Sequence, residues 1–378
     1  MKAGDQQARG ARPAGARAVG PPRRDLGPIS AVVCNFQGQD YLPECLGALL
    51  ALGEQLDEIL VVDDGSTDGS LALLAREFPS VRVHALATNG GPCRARNEGL
   101  ARAKNRWVLA VDNDAVLAPD VLSKLRAALE ADESAVLAQP RSVVAHEPTR
   151  VHYDGGQFHY VGLFALRNFY RPLAEAEGQG VVEVDGYISI CGLMDRQRVL
   201  ELGGFDELLF ILFEDFDLSW RLRLAGERLL SVEDALVRHK SGTPGISFRA
   251  SQYPERRAFF HSRNRWLVML KCHAGWTLLV SLPGILLYEL AWLLFTLKAG
   301  HAKSYLHGKL AFFRHLPRTL ANRQRIQAGR RVRDSRLLVG GPLTLSPQLV
   351  VDPRGARSAR LLSALLAAWW ACARRLLP

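Results

Sequence analysis

Three short apolar runs, at residues 29–34, 58–62 and 107–111, constrain this chain more than any other feature. Each has the length of a strand and breaks into a polar loop, at 35–40, 63–70 and 112–114 respectively. Between the first two, Leu42, Cys45, Leu46, Leu49 and Leu50 recur at helical spacing. The same spacing predicts helices over 71–78, with Ser66 or Thr67 as the cap, and over 92–104 and 120–131, where Pro119-Asp120 opens the helix. Strands follow at 81–86 and 135–139. Alternating strands and helices demand right-handed crossovers and a largely parallel sheet with flanking helices, an α/β fold. Ligands of such sheets lie beyond the carboxyl ends of the strands, so the three loops should converge on one crevice.

The loops are acidic. Asp112-Asn113-Asp114 places two carboxylates at a strand tip, where they repel unless a cation or strong donors stand nearby. Hard oxygen ligands suit Mg²⁺ or Mn²⁺, which keep open positions for phosphates. A solvated acidic turn is the plain alternative for one such motif. Asp63 more readily serves its own loop through local backbone bonds.

Taken in order, Asn35-Phe36, VVDDGSTDGS, GPCRARN at 91–97 and VDNDAVL resemble the donor half of family 2 glycosyltransferases with the GT-A fold. The resemblance runs over roughly residues 28–240. It implies a Rossmann-like, mostly parallel sheet that binds a nucleotide-diphospho-sugar. On that resemblance, Asp64 accepts the base N–H and Phe36 lies against the base, while Asn35 and Asn113 join the nucleotide-sugar site. Asp112 meets the ribose and the metal, Asp114 ligates the metal, and Arg94 or Arg96 faces the nucleotide or diphosphate.

Further along, a strand is predicted over 181–190 and a helix over 196–202 that ends at Gly203-Gly204. GGFDE and EDFDLSWR also resemble this family, whose members use the Asp after Glu as catalytic base. That residue is Asp215, with Glu214 a positioning residue or second candidate. Apolar Leu212, Phe213 and Phe216 should raise its pKa towards a useful range. Asp217 is spaced to pair with Arg221. No separate nucleophile is evident, so one inverting displacement is expected. The resemblance puts His239 near the metal. Residues 141–180 defy simple parsing; the aromatic run at 158–170 reads as an acceptor or sugar pocket, or as ordinary core packing. Ser262-Arg263-Asn264-Arg265-Trp266 has Ser where processive relatives carry Gln or Arg, and resembles instead the Arg-Asn helix of single-addition enzymes such as bacterial rhamnosyltransferases.

Residues 276–297 are the most apolar stretch and are long enough to cross a bilayer. Glu289 and Pro283-Gly284 argue instead for a bent helical pair dipping into the inner leaflet, and 359–377 for an interfacial amphipathic helix. The formal charge of +10 suits anionic partners; no motif points to nucleic acid. Scattered cysteines suggest reduced thiols in the cytoplasm. Three regions result: a disordered basic tail (1–27), a catalytic domain (28–250, donor half 28–140, acceptor half 141–250) and a basic, membrane-associating helical region (251–378). The expected activity is metal-dependent transfer of one sugar to a glycan or polyprenyl-lipid-linked acceptor at the cytoplasmic membrane face, in cell-surface polysaccharide synthesis. Two alternatives are a non-catalytic scaffold, disfavoured by the intact acidic set, and a sugar nucleotidyltransferase, disfavoured because 35–40 lacks a Gly-rich phosphate loop and an early Lys.

Overall fold

The computed structural model describes residues 24–176, 178, 180–240, 245, 246, 253–346 and 353–378. Its first half follows the predicted alternation: β1 (Ile29–Asn35), α1 (Leu42–Leu50), β2 (Glu58–Asp63), α2 (Ser70–Glu77), β3 (Arg82–Ala85), α3 (Pro92–Arg102), β4 (Trp107–Asp112), β5 (Ala115–Leu117) and α4 (Val121–Ala131). Next come β6 (Ala135–Val144), β7 (Glu147–Tyr153), β8 (Gly156–His159), β9 (Leu163–Leu166), β10 (Val181–Val184), β11 (Cys191–Asp195), α5 (Arg196–Glu201), α6 (Glu214–Leu224) and β12 (Arg228–His239).

The main sheet has the strand order β10-β12-β6-β11-β4-β1-β2-β3, with β5 paired to β12 and β7 to β6. Strands β3, β2, β1 and β4 are parallel, as helical crossovers require. Beyond β4 the sheet becomes mixed, because β11 runs antiparallel to both β4 and β6. Cys191 opens β11 beside Val111, at the carboxyl end of β4, so the chain enters from the ligand side and needs no crossover. The arrangement is that of a GT-A fold.

Several expectations shift. The cap of α2 is Gly69, with no side-chain bond. Ser66 instead accepts from the Gln37 N–H at 2.9 Å, tying two loops together. The strand expected over 181–190 ends at Val184, because Gly186 turns back to the Gly156 carbonyl and Gln139 binds the Gly186 carbonyl. The first part of 141–180 is built of strands: the end of β6 pairs with β7, and β8 pairs with β9. Its Phe158 and Tyr160 are fully buried, stacked on Trp220 and Trp370 at ring separations of 5.1 and 4.7 Å. Core packing therefore claims these two aromatics. Residues 24–27, placed with the tail, belong to the fold: Leu26 is buried, and Arg24 donates to the Leu129 and Ala135 carbonyls at 2.8 and 3.0 Å. The rest of the expected tail, 1–23, lies outside the described residues.

The carboxyl-terminal region holds α7 (Glu255–Cys272), α8 (Gly275–Lys298), α9 (Ala302–Arg314), α10 (Leu316–Ala328), α11 (Asp334–Leu337), β13 (Leu338–Val339) and α12 (Pro353–Ala373). It is no separate body: Trp220, Leu267, Trp292 and Trp370 share one apolar core with the sheet. The bent pair expected over 276–297 is one continuous helix, α8, with Pro283 inside it. Glu289 also loses its force as an objection. It pairs with Arg265 of α7 and, at 2.6 Å, with Lys309 of α9, and it accepts from Tyr305 at 2.7 Å.

Candidate active site

The loops after β1, β2 and β4 meet at one end of the parallel strands and bind one another first. Asn113 donates to Asn35 Oδ1 at 2.7 Å, and Asn35 donates to Asp63 Oδ2 at 2.7 Å. Asp63 Oδ1 accepts the Ser66 N–H at 2.8 Å. The side chains of Asn35 and Asn113 are thus engaged in stitching the loops. Both oxygens of buried Asp64 accept backbone N–H groups, from Gly90 and Gly91, each at 2.8 Å. Burial raises the Asp64 pKa, opposed by those two N–H groups and by nearby Arg94. Phe36 stands at the rim, 41% exposed.

Gly91 shows why this wall needs glycine. Its φ is 86°, and a Cβ there would lie 2.9 Å from the Phe210 carbonyl oxygen. The turn brings the start of α3 against the 205–213 segment. Arg96 projects from α3 and is only 6% exposed. It donates to Asp112 Oδ1 at 2.8 Å and to Glu214 Oε1 at 3.2 Å. The sequence places Arg94 or Arg96 facing the nucleotide or diphosphate; the Arg96 guanidinium lies buried between two carboxylates.

Asp112, Asp114 and His239 each offer a ligand atom, all within 4.8 Å of one another. Strand pairing explains the convergence, because His239 is in register with Ala115 on β5. Its Nε2 lies 3.3 Å from Asp114 Oδ1. Burial pulls the His239 pKa down, but Asp114 and Asp112 outweigh it and the net direction is up. Burial raises the Asp112 carboxyl, with Arg96 pulling against it. His152, which the sequence did not single out, lies behind His239 with the two Nδ1 atoms 3.0 Å apart. Burial, then the neighbouring His239, pushes its pKa down to about 3. Nothing marked it beforehand, since it falls in the stretch that resisted parsing.

On the opposite side of Arg96, α6 opens with Glu214 and Asp215. Glu214 is buried, whereas Asp215 keeps partial exposure. Burial, reinforced by Glu214, raises the Asp215 pKa to about 7. Asp217 pairs with Arg221 at 2.9 Å and with Lys271 at 2.7 Å, deep in the core and away from the crevice.

Residues 30–184 match the family model described as "Glycosyl transferase family 2". An N-acetylglucosaminyl-diphospho-decaprenol L-rhamnosyltransferase of Mycobacterium tuberculosis is 26% identical over 276 residues, which cover 67% of this chain and 86% of the relative. An undecaprenyl-phosphate 4-deoxy-4-formamido-L-arabinose transferase of Sodalis glossinidius is 42% identical over 66 residues, covering 16% of this chain and 20% of that one. Among solved structures, GalNAc-T7 with UDP, GalNAc and Mn²⁺ shares the fold at a TM-score of 0.52 and 18% identity. The match covers 69% of this chain and 51% of that one, about half its length.

Proposed function

The chain belongs to the family 2 glycosyltransferases, and from that premise we propose that it moves one sugar, with inversion, from a nucleotide-diphosphate donor to a polyprenyl-diphosphate-linked glycan. The observation that carries the reading is the Asp112–Arg96–Glu214 bridge. It ties a cluster suited to a cation-bound diphosphate to the turn that presents Asp215. The name of the mycobacterial relative supports the lipid-linked acceptor and makes a nucleotide-diphosphate-linked L-rhamnose the first donor to try.

Two carboxylates and an imidazole fit Mn²⁺ or Mg²⁺, and Asp112, Asp114 and His239 would hold the ion. Bound there, it supplies positive charge for the departing diphosphate. The protein's own residues do the rest. Asp64, Asn35 and Phe36 frame the donor pocket. Asp215 takes the proton from the acceptor hydroxyl as that oxygen bonds to the anomeric carbon. The carbon–oxygen bond to the diphosphate breaks, and its electron pair leaves on the nucleoside diphosphate. A base with a pKa near neutrality is matched to this task and is worth about 10²–10⁴ in rate.

The carboxyl-terminal helices support a membrane surface as the place of reaction. Along α8, Trp276, Leu279, Leu282, Leu286, Leu290, Leu294 and Leu297 are exposed on one face, opposite buried Val280, Gly284, Tyr288 and Trp292. Leu306, Leu310 and Phe313 form a similar stripe on α9. Both helices rest on α7, α8 through Trp292 to Ser262 and α9 through Lys309 to the Ser262 carbonyl. Leu361, Leu365 and Trp369 of α12 extend the apolar surface, with Trp369 bonded to the Val280 carbonyl. Lys298, Lys303 and Arg314 on α8 and α9, and Arg375 just beyond α12, are exposed and suit anionic headgroups. A surface built from three half-buried helices lies on a bilayer better than it crosses one.

The deciding experiment incubates the full chain with a panel of nucleotide sugars, Mn²⁺ or Mg²⁺ and a polyprenyl-diphosphate amino-sugar acceptor, reading nucleoside diphosphate release and product anomeric configuration. Turnover of one donor, lost in Asp114→Ala and Asp215→Asn, supports the reading. Turnover without acceptor dependence, or with retained configuration, overturns it.

A further inference from the structure

Asp215 follows a stretch of backbone that should not be stable by itself. Phe210, Leu212 and Phe213 have φ of 63°, 68° and 71°. Bulky residues rarely enter the left-handed region, and such conformations persist only where the surroundings over-determine them. Here the surroundings are one face of α7, carrying Phe260, Arg263 and Asn264 at the i, i+3, i+4 spacing that shares a side.

Asn264 is fully buried, and its amide nitrogen lies 2.9, 2.9 and 2.8 Å from the carbonyl oxygens of Leu209, Ile211 and Leu212. Two amide hydrogens are therefore shared among three acceptors. The Asn264 oxygen accepts from Arg263 Nε at 2.8 Å, which fixes which end of the amide faces the loop. Arg263, itself 8% exposed, donates from Nη2 to the Leu208 and Leu209 carbonyls, both at 2.9 Å. Phe260 stacks on Phe210 with the rings 5.6 Å apart and nearly parallel. Four of the five carbonyls from Leu208 to Leu212 are thus held by two side chains, and Glu214 and Asp215 follow one residue later.

We propose that Arg263 and Asn264 are positioning residues that clamp the 208–213 loop in its left-handed form and so aim Asp215 at the acceptor hydroxyl; the proposal rests on the reading of Asp215 as base. Without the clamp the loop relaxes to ordinary φ values, and the first turn of α6 rotates with it. Asp64, Asn35 and Phe36 stand on the loops after β1 and β2, and the Arg96 bridge is what links Glu214 to Asp112, so the clamp acts chiefly on the chemical step.

The test is a double-mutant cycle on the full chain. Asn264→Asp keeps size but turns an acceptor towards three carbonyls; Arg263→Lys keeps charge and is the milder partner should the first fail to fold. Each is measured for kcat, donor KM and the acid limb of the pH–rate profile, alone and combined with Asp215→Asn. The expected result is a tenfold or greater fall in kcat, donor KM changed less than twofold, a displaced acid limb, and no further loss when Asp215→Asn is already present. Lowered thermal stability with unchanged kcat and pH profile, or losses that multiply with Asp215→Asn, would overturn the clamp. An active Asp215→Asn enzyme would instead remove the base assignment, and the positioning proposal with it.

Discussion

Arg96 and Glu214 stand 118 residues apart in the chain and meet at 3.2 Å. The same guanidinium reaches Asp112, so one buried cation joins the cluster after β4 to the turn that carries Asp215.

Removing that cation should be costly on two counts. Arg96→Ala leaves two carboxylates without their shared partner, and breaking a buried pair costs about 3–5 kcal/mol. Arg96→Lys keeps a charge but cannot span both oxygens with a planar fork. We expect Ala to lower the unfolding midpoint strongly, and Lys to fold while losing at least tenfold in kcat. Denaturant unfolding and steady-state kinetics on both variants check this.

The raised pKa of Asp215 sets a pH window. As a base it works ionised, so kcat/KM should climb about tenfold per pH unit on the acid side and level off above about 7. Stability runs the other way. Between the ordinary carboxylate range and about 7 the folded protein keeps a proton that the unfolded chain has released, so this residue's contribution falls as pH rises. Asp215→Asn should abolish the kinetic limb and flatten that part of the stability curve relative to the parent.

Chelation should stop turnover, and added Mn²⁺ or Mg²⁺ should restore it. His239→Ala removes one donor of the Asp112, Asp114 and His239 set; loss of a ligand should raise the metal concentration for half-activity roughly 10–100-fold, taking the range for disturbed metal sites. Metal titration of activity and of nucleoside diphosphate binding reads this directly. An unchanged titration would remove His239 from the set.

The leucine face should bind anionic vesicles. Each leucine buried in lipid is worth about 1.5–3 kcal/mol, so Leu286→Glu with Leu290→Glu should weaken co-sedimentation by roughly 10² or more. Both side chains are exposed, so the thermal midpoint should not move. Retained binding would point to the basic residues alone.

Much was legible from the sequence because the signals are local. Strand-length apolar runs ending in acidic loops foretold β1, β2 and β4 and their shared edge. Asp112, Asp114 and His239 could be named as a set before any coordinates, and they do stand together. What sequence could not decide were choices among distant partners. Arg94 and Arg96 look alike on a helix, but packing buries Arg96 between Asp112 and Glu214. Glu289 reads as a flaw in an apolar helix until α7 and α9 bring Arg265 and Lys309 to it. Three left-handed residues before Asp215 have no sequence signature at all. Their conformation is strained locally and exists because Asn264 and Arg263, some fifty residues on, accept the cost through buried hydrogen bonds. Periodicity and spacing report what a segment prefers alone; register, ion pairing and tolerated strain depend on which remote groups arrive beside it, and only the folded chain determines that.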